Sequence, residues 1–428
     1  MGPLAHSRAA LAALLAAPVA LLGLALRPGW RPGLGERLGR LPAAAPGALW
    51  VHGASVGEIQ AAARLLAELE RRGHPVRAST TTLTGRALLR GGHPEWPCTL
   101  APLDHPWCVE SALARVRPAA LVLVETELWP GWIAGATRHG VPVVLVSGRL
   151  SERSFPRYRR FRAWLRPTLR RLAAVGARGA ADAERFAALG VPPERISITG
   201  DLKLEPPGEP PRLAPELAAA LGDGPLLVAG STHAGEEEAA LGALAAAEAA
   251  GLAPLLALAP RRPERFDAVA RAVESRGRRL RRRSALGAAP LAAGEVLLLD
   301  SLGELAGLYT RARVAFVGGS LVPRGGHNVL EPVFAGVPVL FGPSTESARE
   351  AAEILLASGG GRRVRDTDEL AREVVAALRD PAEARARGAR GLRALEAHRG
   401  AASRSARLVE EVLERSGPGK ALSAAVPA

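Results

Sequence analysis

The sequence predicts an α/β protein made of two Rossmann-like domains, and three observations carry that prediction. Short aliphatic or β-branched runs alternate with amphipathic stretches from Leu49 onward, a proline-rich break stands at Glu205–Pro211, and the alternation then starts afresh. Strands spaced by helices in this way form parallel sheets covered on both faces. The length of 428 residues has room for about two to three domains. An apolar share of 48% with 23% charged residues supports large cores and excludes a disordered or collagen-like chain. Aromatics are only 4%, so helices must pack on Ala and Gly.

Taken in order, residues 9–26 are apolar or small and reach the lower edge of what crosses a bilayer. A signal peptide, a membrane anchor and a core helix all fit this run. Arg27, Arg31, Arg37 and Arg40 follow it against the single Glu36, and positive charge after an apolar helix holds that side in the cytoplasm. The expectation is an N-terminal anchor over 1–30, with the body on the cytoplasmic face of the membrane. A first domain spans 35–205, with strands at 48–52, 76–81, 120–124, 142–147 and 173–176 and helices such as 58–72, 107–116 and 159–172. The linker is 206–211. The second domain, 212–380, has strands at 225–230, 254–259, 296–299, 313–317 and 338–341 and helices at 235–250 and 264–275. Helices fill 381–416, and 417–428 is a tail.

Charge narrows the partners. Lys+Arg exceed Asp+Glu by 56 − 42 = 14, and Lys203 and Lys420 are the only lysines. Arginine favours planar anions such as phosphate and carboxylate, so an acidic ligand, an anionic membrane and nucleic acid all fit the charge. Cys98 and Cys108 cannot build a disulfide framework, and no metal site or cofactor is expected. G-x-x-x-x-G-K-[ST], H-E-x-x-H and a strand–G-x-G-x-x-G–helix unit near either domain start are missing, which argues against kinase, zincin and dehydrogenase. Asp366-Thr367-Asp368 reads as a helix cap rather than a metal site.

In parallel sheets ligands bind beyond the carboxyl ends of strands, so the loops there are the candidates. Trp50–Glu58 (WVHGASVGE) leaves a strand and enters a helix. Ser55 with Glu58 fits a capping box. Gly53 to Gly57 also fits the G-x-S-x-G elbow of a serine hydrolase using Ser55, with Asp201 and His233 or His327 in chain order. Thirdly, Glu58 suits a general base. Glu125 and Glu127 lie on one side if the strand stays extended, Arg149 follows the next strand, and Lys203 offers a second cation at the exit of the first domain. In the second domain Ser231 and Thr232 precede a helix rich in acids, and Arg261 follows the next strand. Val317–Pro332 (VGGSLVPRGGHNVLEP) combines two glycine pairs with Asn328 and Glu331, a coherent grip for a nucleotide.

Residues 153–171 (RSFPRYRRFRAWLRPTLRR) hold eight arginines with Phe155, Tyr158, Phe161 and Trp164 spaced by three. An aromatic stripe packed on the core, an interfacial helix facing anionic lipid or an acidic acceptor, and single-stranded nucleic acid are the three readings. No nucleic-acid-binding signature accompanies the third. Arg276–Arg283 reads as surface.

Assembled in order, HGASVGE, TTLTGR, ETELWP, GRLSERS, TGDLK, GSTHAGEE, PRRPERF, DSLGEL and GGSLVPRGGHNVLEP resemble the 3-deoxy-D-manno-octulosonic acid (Kdo) transferases of lipopolysaccharide inner-core synthesis, from about Gly35 to Ser347. The resemblance implies a GT-B fold with a cleft between its domains. It also implies inverting, metal-independent transfer of Kdo from CMP-Kdo to a phosphorylated lipid A precursor (tetraacyl disaccharide bisphosphate) at the cytoplasmic face of the inner membrane. By the same resemblance Glu58 is the proton acceptor, Glu125 and Lys203 support the transition state, and Pro260, Arg261, Leu302, Gly303, Glu304, Asn328, Val329, Leu330 and Glu331 hold CMP. Ser231, Thr232, Gly326 and Arg149 are further candidates. The chain departs from the family at Arg262, where His is frequent. Other nucleotide-sugar transferases and, in another class, the Ser55 hydrolase are the alternatives.

Overall fold

The computed structural model describes residues 32–207, 211–287 and 289–417. The apolar run read as an anchor lies outside them, as do 208–210 of the linker and 418–428 of the tail. Among the described residues no helix is long and apolar enough to cross a membrane. The chain divides into two compact units. One is the chain up to Glu205 together with the segment from Gly400 onward, and the other is Pro206–Arg399.

The first unit is built on seven parallel strands: β1 (Leu49–His52), β2 (Val76–Thr80), β3 (Cys98–Leu100), β4 (Ala120–Val124), β5 (Val143–Gly148), β6 (Ala174–Ala177) and β7 (Ile196–Ile198). Their order is β3-β2-β1-β4-β5-β6-β7. β1, β2, β4, β5 and β6 are buried at every residue, because helices cover both faces of the sheet. One core gathers Leu65, Leu66 and Leu69 of the helix Val56–Arg71 over Val122 and Val144. The opposite core holds Trp50, Trp132, Leu123 and Phe186.

The second unit repeats the plan with β8 (Leu226–Thr232), β9 (Leu255–Pro260), β10 (Leu280–Arg282), β11 (Val296–Leu298), β12 (Val314–Val317), β13 (Val339–Phe341) and β14 (Gly361–Arg363), in the order β10-β11-β9-β8-β12-β13-β14. Strand order reverses at β1/β4 in the first unit and at β8/β12 in the second. These switch points open a crevice beyond the strand ends, the usual place for a ligand. They position everything that follows.

Two sequence expectations change. The helix expected over 159–172 is two helices, Phe155–Arg160 and Arg162–Leu169, broken at Phe161 and carrying Pro167 inside the second. The aromatic stripe therefore divides: Phe155 and Tyr158 pack on the core, whereas Phe161 and Trp164 are 55% and 69% exposed. The helices expected over 381–416 are two, Pro381–Leu395 and Ala401–Ser416, separated by a short turn and by Gly400 in a left-handed conformation. Asp366 does cap its helix, accepting from the Glu369 N–H at 2.8 Å.

Candidate active site and nucleotide grip

At the β1/β4 switch point the chain turns sharply from β1 into the helix Val56–Arg71. Gly53 is required by this turn, since a Cβ there would lie 2.9 Å from the backbone of Glu58 and Ile59. The Ala54 carbonyl accepts from Thr80 Oγ1 (2.9 Å), Thr81 Oγ1 (2.7 Å) and Thr81 N–H (3.1 Å), which pins the loop to the end of β2. The capping box is formed: Ser55 Oγ accepts from Glu58 N–H (3.2 Å), and Glu58 Oε2 accepts from the N–H of Ala54 (2.8 Å) and Ser55 (3.3 Å). Ser55 Oγ in turn donates to Glu58 Oε1 (2.7 Å). The Glu58 side chain is half-buried. A carboxylate oxygen has room for two donors, so Oε1 keeps an acceptor position beyond the one Ser55 fills. Cap and base readings coexist in this geometry.

Two further predicted residues converge on the same loop. Lys203 Nζ pairs with Glu125 Oε1. The lysine also passes over Gly57, where a Cβ would meet Lys203 Cε and Nζ at 3.5 and 3.6 Å. Its backbone N–H is held by Asp201 Oδ1 (2.8 Å), which also accepts from Ser147 Oγ (3.2 Å). Glu125 and Ser147 are non-glycine residues at φ 63° and 54° at the ends of adjacent strands. Such strained backbone concentrates at functional sites. Because the chain turns at Glu125, the two acids of ETELWP separate: Glu125 meets Lys203, and Glu127 accepts from Trp129 Nε1 at 2.6 Å. Burial pushes both carboxyls up, and the Glu58 charge pushes both further; at Glu125 the Lys203 ammonium opposes the rise. Thus Glu58, Glu125 and Lys203 form one electrostatic cluster.

Among the described residues of its own unit Ser55 meets a carboxylate and no histidine. Its hydroxyl is engaged with Glu58, while His233 and His327 lie in the other unit, bonded to one another at 2.8 Å.

Next to this site, Thr126, Arg149, Ser151, Arg153, Ser154 and Arg157 line a cavity of about 380 Å³. An apolar groove of about 450 Å³ adjoins it through Arg157 and Tyr158 and is walled by Phe161, Trp164 and Leu165. Cationic and apolar walls thus lie side by side.

In the second unit the predicted nucleotide residues stand at the ends of β8 and β9 and in the segments after β9, β11 and β12, on both sides of the β8/β12 switch point. Asn328 Oδ1 accepts from Leu330 N–H, and its Nδ2 donates to Glu331 Oε1, both at 3.1 Å. The side chains of Val329 and Leu330 are buried, so these two residues have only backbone to offer a ligand. Burial raises the Glu331 carboxyl, with Asn328 and the Arg261 charge opposing. Pro260 closes β9, and exposed Arg261 follows, its N–H bonded to Thr232 O at 3.0 Å. Leu302 is 78% exposed, Gly303 has φ 88°, and the Glu304 carboxylate is clasped by Arg283 at 2.8–3.1 Å. Arg283 thereby ties the second basic run to Glu304. Ser231 has φ 55°, and buried Thr232 donates to Glu237 Oε1 at 2.8 Å. Gly326 N–H is bonded to Gly319 O at 2.8 Å.

Sequence reasoning missed Asp104 and Glu236. Asp104 accepts from Gly131 N–H (3.2 Å) and Trp132 N–H (2.8 Å), capping the helix Pro130–Arg138 from a distant loop. The only signal was an acid in a proline-flanked turn. Glu236 was legible only as one of three acids opening a helix. Among the described residues no group of three or more His, Cys, Asp or Glu is placed to hold a metal ion.

Two units, each on a parallel seven-stranded sheet, give a GT-B-like glycosyltransferase fold. Solved structures agree at the level of fold: a calicheamicin glycosyltransferase, CalG4 (TM-score 0.52, 17% identity, covering 88% of this chain and all of that one) and MurG of Acinetobacter baumannii (TM-score 0.54, 14%, covering 86% and 100%). A family model described as 3-deoxy-D-manno-octulosonic-acid transferase (kdotransferase) matches residues 32–205. The 3-deoxy-D-manno-octulosonic acid transferase of Bordetella pertussis is 36% identical over 88% of this chain and 91% of its own length. That of Haemophilus influenzae is 35% identical over 91% and 93%. The chain belongs to the 3-deoxy-D-manno-octulosonic acid transferase family.

Proposed function

We propose that the protein transfers Kdo from CMP-Kdo to a phosphorylated lipid A precursor, with inversion and without a metal, at the cytoplasmic face of the inner membrane. The observation that carries this reading is the cluster of Glu58, Glu125 and Lys203 at one switch point. Glu58 Oε1 takes the proton from an acceptor hydroxyl. The hydroxyl oxygen then bonds to the anomeric carbon of Kdo as the bond from that carbon to the CMP phosphate oxygen breaks. Glu125 and Lys203 steady the charge that develops in that step. In the second unit, backbone groups at Asn328–Glu331 and the Arg261 guanidinium receive the single phosphate of CMP, and Glu331 accepts from ribose hydroxyls. Charge at the leaving group is then met by amides and a guanidinium, so no metal ion is needed.

The cationic cavity beside the apolar groove supports an acceptor that carries phosphate and acyl chains, and supports contact with an anionic membrane surface. The decisive experiment is mass spectrometry of the product after incubation with CMP-Kdo and tetraacyl disaccharide bisphosphate. Glu58→Gln should lower turnover by about 10²–10⁴-fold, the usual contribution of a general base. Turnover near wild type in that variant removes the base assignment. Tighter binding of UDP than of CMP in calorimetry points to a different nucleotide sugar.

A further inference from the structure

The glycine-rich loop after β12 has few side chains of its own to fix it, and its conformation is set from elsewhere. Glu236, the first residue of the helix Glu236–Ala249, is completely buried. Its Oε2 accepts from Gly319 N–H (2.7 Å) and His233 N–H (2.9 Å). Its Oε1 accepts from the N–H groups of Ser320 and Leu321, both at 3.0 Å. These four bonds fill the acceptor positions of a carboxylate, and all four come from backbone. The neighbouring acid behaves differently: Glu237, also buried, is neutralised by the forked guanidinium of Arg265 at 2.6 and 3.0 Å.

The hold passes on toward the nucleotide residues. Gly319 O accepts from Gly326 N–H (2.8 Å), and Gly318 O accepts from His327 N–H (3.2 Å), so the segment gripped by Glu236 carries the segment that opens onto Asn328. The fit leaves no slack. A Cβ at Gly318 would lie 2.7 Å from Glu236 Oε2, and Gly319 stands at φ 68° with His327 Cδ2 only 2.9 Å from where its Cβ would be. A second tie joins the same two loops: His233 Nε2 and His327 Nε2 share a hydrogen bond of 2.8 Å, with the rings stacked at 9°.

We propose that Glu236, seconded by the His233–His327 pair, is a positioning residue for the donor nucleotide: it holds the loop 318–328 so that the segment Asn328–Glu331 is set to receive the phosphate. The proposal rests on the reading that Asn328–Glu331 bind CMP. It is tested on the full chain with CMP as the probe. In Glu236→Gln the amide oxygen still accepts, but its NH2 group now faces N–H donors, so the loop loses part of its template. CMP affinity in calorimetry should fall about tenfold or more, the equivalent of one or two hydrogen bonds. KM for CMP-Kdo should rise in step, while KM for the acceptor stays within about twofold, since the first unit is untouched. A purely structural role would lower the melting temperature and the active fraction yet leave both constants of the folded enzyme unchanged; that result overturns the proposal. If Glu236→Gln does not fold, His233→Leu decides. It removes the second tie from a half-exposed position, and should weaken CMP severalfold; wild-type affinity there counts against the proposal. Asn328→Ala separates the two layers. If it weakens CMP and Glu236→Gln does not, only the positioning role falls. If Asn328→Ala binds CMP like wild type, the reading of the grip falls and this inference with it.

Discussion

At Glu58 one carboxylate carries both a helix cap and, in the proposed reaction, a proton. The two uses separate by atom: Oε2 is occupied by the amides of Ala54 and Ser55, while Oε1 holds only the Ser55 hydroxyl. Ser55 therefore orients the base as well as capping the helix. In Ser55→Ala the helix loses its side-chain cap, which should cost about 1 kcal/mol in a denaturation midpoint. Glu58 keeps its amide partners, so turnover should fall by no more than about tenfold, far less than in Glu58→Gln. Equal losses in the two variants would mean that the hydroxyl itself takes part in chemistry. His52, two residues before Ala54, sets a different test. Its ring is fully buried, with Nδ1 near Ser79 at 3.0–3.1 Å, and burial lowers its pKa to about 4. The unfolded chain takes up this proton near the ordinary value of 6.5, whereas the folded chain does not until about 4. His52 thus favours the fold fully above pH 6.5, and that contribution is lost as the pH falls toward 4. Between pH 7.5 and 5 the wild type should lose about 2 kcal/mol more than His52→Gln does, measured by urea unfolding at each pH. Parallel pH dependence in the two proteins would show that the ring is not buried neutral.

Among the strands, visibility in the sequence follows length and place in the sheet. β1, β4, β5, β8, β9 and β12 carry aliphatic runs because both faces are covered, and each was expected within a residue or two. The four strands that escaped, β3, β7, β10 and β14, are the four sheet edges, three residues each. Short edges bearing charge resist further pairing, and Arg281, Arg282, Arg362 and Arg363 fill that role here while erasing any aliphatic run. The candidate site shows the same division. Glu58 and Glu125 stand out because each follows an aliphatic strand, and Lys203 because it is a rare lysine at the exit of the first domain. Glu236 does not, because acids at a helix start are commonplace, and three of its four partners are backbone groups 83 to 85 residues away with no side-chain signature. Close approach has a similarly quiet signal. Gly230 near the end of β8 reads as an ordinary small residue, yet a Cβ there would fall 1.9 Å from the hydroxyl of fully buried Tyr309. Gly230→Ala should therefore destabilise the second unit by about 1–3 kcal/mol, the usual cost of overpacking. Adding Tyr309→Phe to the same chain should return part of that loss, since it removes the nearest clashing atom. Thermal melts of the single and double variants check both statements.

At the scale of the molecule, the first unit is completed by the far end of the chain. The helix Ala401–Ser416 places Ala402, Ala406, Leu408, Val409 and Val412 in the same core as Leu65, Leu66 and Leu69. Polar ties fix it there: Arg72 donates to Glu410 Oε2 at 2.6 Å and to Ser403 Oγ at 2.7 Å, Arg404 Nε donates to Thr199 O at 3.0 Å, and Ala402 N–H donates to buried Glu205 Oε2 at 2.9 Å. Ending the chain at Arg399 removes all of this and leaves the second unit's own residues intact. Leu408, Val409 and Val412 at roughly 1.5–3 kcal/mol each amount to on the order of 5 kcal/mol of lost burial. A domain of this size is stable by only about 5–15 kcal/mol. The truncated protein should show two thermal transitions, the first-unit transition shifted far down and the second-unit transition in place. Limited proteolysis should then degrade the first unit and leave a resistant fragment beginning near Pro206, and that fragment should still bind CMP if the grip resides where it is proposed. A single transition shifted as a whole would show instead that the last helix stabilises both units together, and the division of labour between them would have to be redrawn.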